Sequence, residues 1–203
     1  MPLSSGSPPS HSSKVFREWV ARHHTAAKTK RVPKQGYPNK VSTPAPQRVF
    51  VLTIPQVIAG EGIRNARRVA WRHFGFGPAS KKTVSAEILI AGKSHRVART
   101  YGSKPTSIIS RTLAVLTRKH SRSKRYDGIS LIKIPPLLGL AVWVRGRNTK
   151  EDLIFPLQSA VPELQTGTTH KYVDALPLLQ RSAKALVAQS LALNAKLGMG
   201  RAE

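Results

Sequence analysis

Cysteine is absent from this chain, carboxylates are scarce and aromatic residues make up only 6%. Without cysteine there is no disulfide and no thiolate site for zinc or an iron–sulfur cluster. The nine acidic residues are scattered: Glu18, Glu61, Glu87, Asp127, Glu151, Asp152, Glu163, Asp174 and Glu203. A two-metal hydrolytic centre needs several carboxylates converging on its ions. Glu151 and Asp152 are adjacent, so on a strand they would point to opposite faces. The seven histidines show no metal-ligand spacing: His23 and His24 are neighbours, and His11, His73, His95, His120 and His170 stand alone. No catalytic residue, metal site or cofactor is therefore expected, and the chain reads as non-enzymatic. Long apolar runs are missing too. The longest, Leu137 to Val144, is far below the ~20 residues of a spanning helix. The first residues lack an apolar h-region, so no secretory signal is expected.

What the chain has is positive charge. Lys and Arg number 34 against 9 Asp and Glu, a net of +25. Residues 1–50 carry +8, residues 51–100 carry +7 and residues 101–150 carry +10, whereas residues 151–203 are neutral. A surface of one sign repels itself, so such an excess points to a polyanionic partner. The neutral last quarter argues against uniform charging for solubility.

Residues 1–47 are predicted to be a disordered basic arm. Ser, Pro and Gly dominate the first thirteen residues, and Lys28, Lys30, Arg31, Lys34 and Lys40 lie among four prolines. Within the arm, Val15, Phe16, Trp19 and Val20 form a short apolar side that must dock on the body or on a partner. A single α+β domain is predicted over 48–198, with a short tail at 199–203. Arg48–Ile54 reads as a strand. Ile63, Ala66, Ala70 and Phe74 recur every three or four residues and predict a helix over 56–74. Val84–Ala91 and Ser94–Thr100 flank Gly92-Lys93 as a hairpin. Pro105 opens a second helix, which ends near His120. Ile129–Ile134, Leu140–Val144 and Leu153–Leu157 read as strands. A last helix over 173–197 carries Leu176, Leu179, Ala183, Leu186, Ser190, Leu193 and Leu197 at helical spacing and stops at Gly198. The pattern is a small mixed or antiparallel sheet with two or three helices. Its first six elements match the β-α-β-β-α-β order of ferredoxin-like folds.

Two constellations point to phosphate. On the predicted first helix Arg64, Arg68 and Arg72, with Arg67 beside them, fall on one face and rise about 6 Å per step. That step approaches the spacing of phosphates along a strand, and each guanidinium offers a bidentate fork. The second is the run Arg118, Lys119, His120, Ser121, Arg122, Ser123, Lys124, Arg125 and Tyr126, with five full charges and no carboxylate before Asp127. Its cations would meet phosphates and Tyr126 would stack on a base. Ala91-Gly92-Lys93-Ser94 has the ending of a phosphate-binding loop, but Glu87 stands where that loop requires its first glycine, and a strand follows instead of a helix.

The segment LIKIPPLLGLAVWVRGRNTKEDLIFPL at 131–157, with the turn and helix that follow to about residue 180, resembles part of an uncharacterised bacterial protein family. The resemblance rests on apolar positions and implies no activity. Trp143 reads as a core residue in a strand packed on both faces.

The expectation is a nucleic-acid-binding protein, for RNA or DNA, that grips the phosphate backbone without chemistry. The alternative is an assembly subunit of a larger particle (a shell, a scaffold or a ribosome-like complex) in which the 173–197 helix contacts a protein partner or a second copy. The expected compartment is the cytoplasm. The alternative is an organelle, since the first thirty residues are Ser-rich, basic and acid-poor like a transit segment.

Overall fold

The computed structural model describes residues 8–24, 44–76, 83–91 and 94–199. It is an α+β protein, with four helices among the described residues. In chain order these are helix α1 (Ser10–His24), strand β1 (Gln47–Val51), helix α2 (Ile54–Ile58), a 3₁₀ turn (Ile63–Asn65), strands β2 (Arg67–Phe76), β3 (Thr83–Ala91) and β4 (Ser94–Tyr101), helix α3 (Ser103–His120), strands β5 (Tyr126–Ile134) and β6 (Leu138–Gly146), a 3₁₀ turn (Thr149–Glu151), strands β7 (Leu153–Ser159) and β8 (His170–Lys171), and helix α4 (Tyr172–Met199). The strands form a mixed eight-stranded sheet in the order β4-β3-β2-β1-β5-β6-β7-β8. The sheet is larger than the sequence predicts, and the element order is not the ferredoxin-like β-α-β-β-α-β.

The largest correction falls on residues 67–76. The predicted helix is a strand there, and only Ile54–Ile58 is α-helical ahead of it. Ala70, Trp71, Arg72, His73 and Phe74 are buried in succession. A strand covered on both faces loses its alternation of apolar and polar residues. Its apolar positions then matched a helical period by coincidence, and a buried arginine looked like a polar face.

The chain divides into two compact units. Unit 1 comprises Met1–Val49, Arg68–Lys124 and Gly128–Ser130; unit 2 comprises Phe50–Arg67, Arg125–Asp127 and Leu131–Glu203.

In unit 1, β2 and β3 pair antiparallel with Arg72 opposite Glu87 and His73 opposite Ala86. β3 and β4 pair antiparallel outward from Ala91 opposite Ser94, as the hairpin reading expects, and Gly92 and Lys93 between them lie outside the described residues. Helix α1 packs on β3 and β4, and α3 packs on β3. Phe16 of α1 is buried with Ala86 and Ile88, and Val15, Trp19, Val20 and Val97 pack around it. Its ring stacks on His73 at 5.3 Å. A Cβ at Gly75 would stand 3.1 Å from the Phe16 ring, so the missing side chain leaves room for the seat. Ser10–His24 is thus an ordered, docked helix and not disordered arm. The rest of the predicted arm, 1–7 and 25–43, lies outside the described residues, as does the predicted tail after residue 199.

In unit 2, β6, β7 and β8 pair antiparallel. The core gathers Leu52, Val57, Ile132, Ile134, Trp143, Ile154 and Leu164 with Tyr172, Ala175, Leu179 and Ala183 of α4. Trp143 is a core residue, 4% exposed, with Phe50 edge-on at 5.4 Å. The apolar stripe of α4 is only half used. Leu179 and Ala183 are buried and Leu186 is half-buried, but Leu193 is 59% exposed. The helix also runs one residue past Gly198.

Candidate nucleic-acid interface

Positive charge is concentrated in one unit. The segments of unit 1 contain 22 Lys and Arg against 2 carboxylates, a net of +20; those of unit 2 contain 12 against 7, a net of +5. Both carboxylates of unit 1 are already engaged. Glu18 lies between Lys14 and Arg22 on α1, and Glu87 is buried against Arg72. Neither is left to neutralise the remaining surface.

Helix α3 organises part of this charge. Thr106, Ile109, Leu113, Leu116 and His120 are buried at spacings of three and four, which fixes the inward face. Lys104, Ile108, Arg111, Val115 and Arg118 repeat with spacings of four and three and are all exposed. The three cations of this stripe lie seven residues apart, about 10 Å of rise per interval. No acidic residue occurs in the helix. Arg118 and Lys119 occupy its last turn, where the carbonyl end of the helix dipole favours positive charge. His120 adds none near neutral pH. Burial, with the nearby charge of Lys119 as a smaller cause, pushes its pKa down. Beyond the helix Arg122 and Lys124 are exposed. The turn is closed by Ser121 N–H donating to the Thr117 carbonyl and Ser123 N–H to that of His120. Lys119, Arg122 and Lys124 thus continue the positive charge beyond Arg118. Arg125 and Tyr126 belong to unit 2, Arg125 exposed and Tyr126 half-buried.

The predicted arginine row does not exist as a helix face. Arg64 sits in the 3₁₀ turn and donates from Nε to Asp152 Oδ2 at 3.0 Å. That hydrogen bond, with the attraction of Asp152 and Asp127 and despite some burial, raises its pKa. Arg67 and Arg68 are exposed at the start of β2. The Arg68 guanidinium lies 5.9 Å from the Trp71 ring centroid, and that of Arg48 lies 5.6 Å from it. Arg72 is fully buried, its Nη2 2.6 Å from Glu87 Oε1 and its guanidinium 3.9 Å from the centre of the Tyr101 ring. It presents no charge to solvent. Sequence reasoning missed Lys104 and Arg111. Their signal was the seven-residue spacing to Arg118 inside a helix that was itself predicted.

Comparison with protein-family models, with curated proteins and with solved structures finds no match. The site therefore has to be read from its own chemistry. Among the described residues no group of three or more His, Asp or Glu could hold a metal ion. Among the same residues no helix is long and apolar enough to cross a membrane.

Proposed function

We propose that this protein binds nucleic acid through the phosphate backbone, without catalysing a reaction. The observation that carries the reading is the net charge of +20 on unit 1, with both of its carboxylates already paired. Lys104, Arg111 and Arg118 on α3, continued by Lys119, Arg122 and Lys124, supply the contacts. Arg68 is exposed in the same unit and adds to them; Arg72 does not. Phosphate contacts of this kind position a strand but do not read bases, so RNA and DNA of unrelated sequence are bound with similar affinity.

Fluorescence anisotropy with labelled RNA and DNA across a salt series tests the proposal. Counterion release gives a log–log slope of about −0.7 to −0.9 per phosphate contact. A flat salt dependence would overturn it.

A second reading, assembly into a larger particle, has one observation behind it. Val187, Leu191 and Leu193 on the outer half of α4 are 39%, 64% and 59% exposed. That half carries little charge, so another subunit can approach it where the body of the protein would repel one.

A further inference from the structure

We infer that a cleft in unit 2 binds a single nucleotide unit, with its phosphate on Lys150 and Lys171 and its base against Tyr126. The cleft has a volume of about 530 Å³, within the usual range of small-ligand sites and well above what an inorganic anion fills. Arg125, Lys150 and Lys171 contribute three cations to its lining and Glu151 one carboxylate; Tyr126 and Leu153 contribute apolar surface. Cations beside an aromatic ring suit a ligand that is anionic at one end and planar at the other. A nucleotide has that form, and the Glu151 carboxylate can accept hydrogen bonds from its sugar hydroxyls or base amino groups.

The walls are tied in place before any ligand arrives. Arg147 N–H donates to the Arg125 carbonyl at 2.8 Å and holds the turn that leads into Tyr126, the first residue of β5. Asn148 Oδ1 accepts from Glu151 N–H and caps the 3₁₀ turn that bears Lys150. Lys171 stands directly opposite Leu153 in the β7–β8 pair, and the next residue, Tyr172, donates its N–H to the Asp152 carbonyl at 2.8 Å. Asp152 lies beneath all of these, fully buried. Its carboxylate accepts from Gly146 N–H at 2.8 Å and from Arg64 Nε at 3.0 Å. A Cβ on Gly146 would stand 2.5 Å from the Glu151 Cβ, so only glycine lets the loop fold back this closely. Arg64, expected from the sequence to bind phosphate itself, is a positioning residue here. Walls held in this way lose little entropy on binding.

The inference is independent of the α3 stripe, which lies in unit 1, and its test separates the two. Adenosine 5′-monophosphate, inorganic phosphate and an adenine hexanucleotide are titrated into the full chain by calorimetry. Backbone amide shifts are followed by NMR. The monophosphate is expected to bind at least about ten-fold more tightly than phosphate, since stacking on one aromatic ring supplies that much. Shifts should centre on residues 125–126, 148–153 and 171. Lys150→Ala with Lys171→Ala should weaken the monophosphate at least about ten-fold. Tyr126→Leu should bring it down to the level of phosphate. These exposed or half-buried positions tolerate replacement, and circular dichroism checks the fold. Weaker hexanucleotide binding in the lysine variant makes the ligand one unit of a strand; an effect on the monophosphate alone makes it a free nucleotide. Arg111→Glu with Arg118→Glu should leave the monophosphate affinity unchanged, so a failed backbone-binding reading would still leave this one standing. Equal binding of phosphate and monophosphate, shifts mapping elsewhere, or an unaffected lysine variant would each overturn it.

Discussion

Arg72 and Glu87 stand opposite each other on β2 and β3, 2.6 Å apart and removed from solvent, with the Tyr101 ring against the guanidinium. An arginine that looks from the sequence like part of a binding face is an internal tie of the sheet. Breaking a buried pair leaves one uncompensated charge inside. Glu87→Gln is therefore expected to cost about 3–5 kcal/mol in urea unfolding. Arg72→Met combined with Glu87→Leu should recover most of that loss and bind nucleic acid like the natural chain. A double variant that folds but loses affinity would return Arg72 to the interface.

The exposed stripe of α3 makes the opposite prediction. Arg111→Glu with Arg118→Glu should lower affinity for RNA and DNA and flatten the salt slope by about 1.4–1.8, two contacts' worth. Because both side chains are exposed, unfolding free energy should change little, by no more than about 1 kcal/mol at Arg118, where the helix dipole favours positive charge. Unchanged affinity in this variant would exclude α3 as the interface.

Acid should loosen unit 1 through His73. Ser12 Oγ donates to the Pro9 carbonyl at 2.9 Å and lies 3.2 Å from His73 Nε2. Burial pushes the His73 pKa down to about 4 from its ordinary 6.5. The unfolded chain then binds a proton that the folded chain refuses. Stability falls as pH drops from about 6.5 to 4, by on the order of 3 kcal/mol, and the contribution of this group levels off below. His120, also shifted down by burial, acts in the same direction. Urea midpoints measured between pH 7 and 4 should show the decline, and His73→Gln should reduce it.

Docking of α1 should be measurable from its one deeply seated ring. Phe16→Ala removes a side chain packed on Ala86, Ile88 and His73 and should cost about 3–5 kcal/mol. Gly75→Val, which fills the seat, should destabilise in the same assay. Removing residues 1–46 should lower the melting temperature. An unchanged melting temperature in all three would mean that α1 does not hold to the sheet in solution.

The two halves of α4 should respond differently to charge. Leu179→Asp places a carboxylate in the unit 2 core and should abolish cooperative unfolding. Leu193→Asp alters an exposed position and should leave the fold intact. If α4 is an assembly surface, the same change lowers the sedimentation mass; an unchanged mass removes the second functional reading.

Much of the local structure was legible in the sequence. Residues 103–120 are amphipathic at a helical period, and strands 126–134, 138–146 and 153–159 are rich in Ile, Leu and Val. The β3–β4 hairpin announced itself by two strand-length segments around Gly92-Lys93. These elements have one solvated face or a strong bias of residue type, so neighbouring residues suffice to define them. β2 failed because its signal is not local. Trp71, Arg72 and His73 are all buried, by layers contributed from elsewhere in the chain, and no window of sequence contains that information.

The candidate site divides along the same line. Sequence alone determined that the protein is strongly basic, that the charge avoids the last quarter, and that Arg118–Arg125 is a cationic run; these are sums over residues and need no geometry. Tertiary structure decided which charges remain available. It turned Arg72 inward onto Glu87, set Arg64 against Asp152, and left Lys104, Arg111 and Arg118 on an open helix face. It also assembled a cleft from β5, the loop after β6 and β8, segments up to about 45 residues apart in the chain. A side chain's charge is a property of its type, but its exposure and its partner are properties of whatever the fold brings beside it.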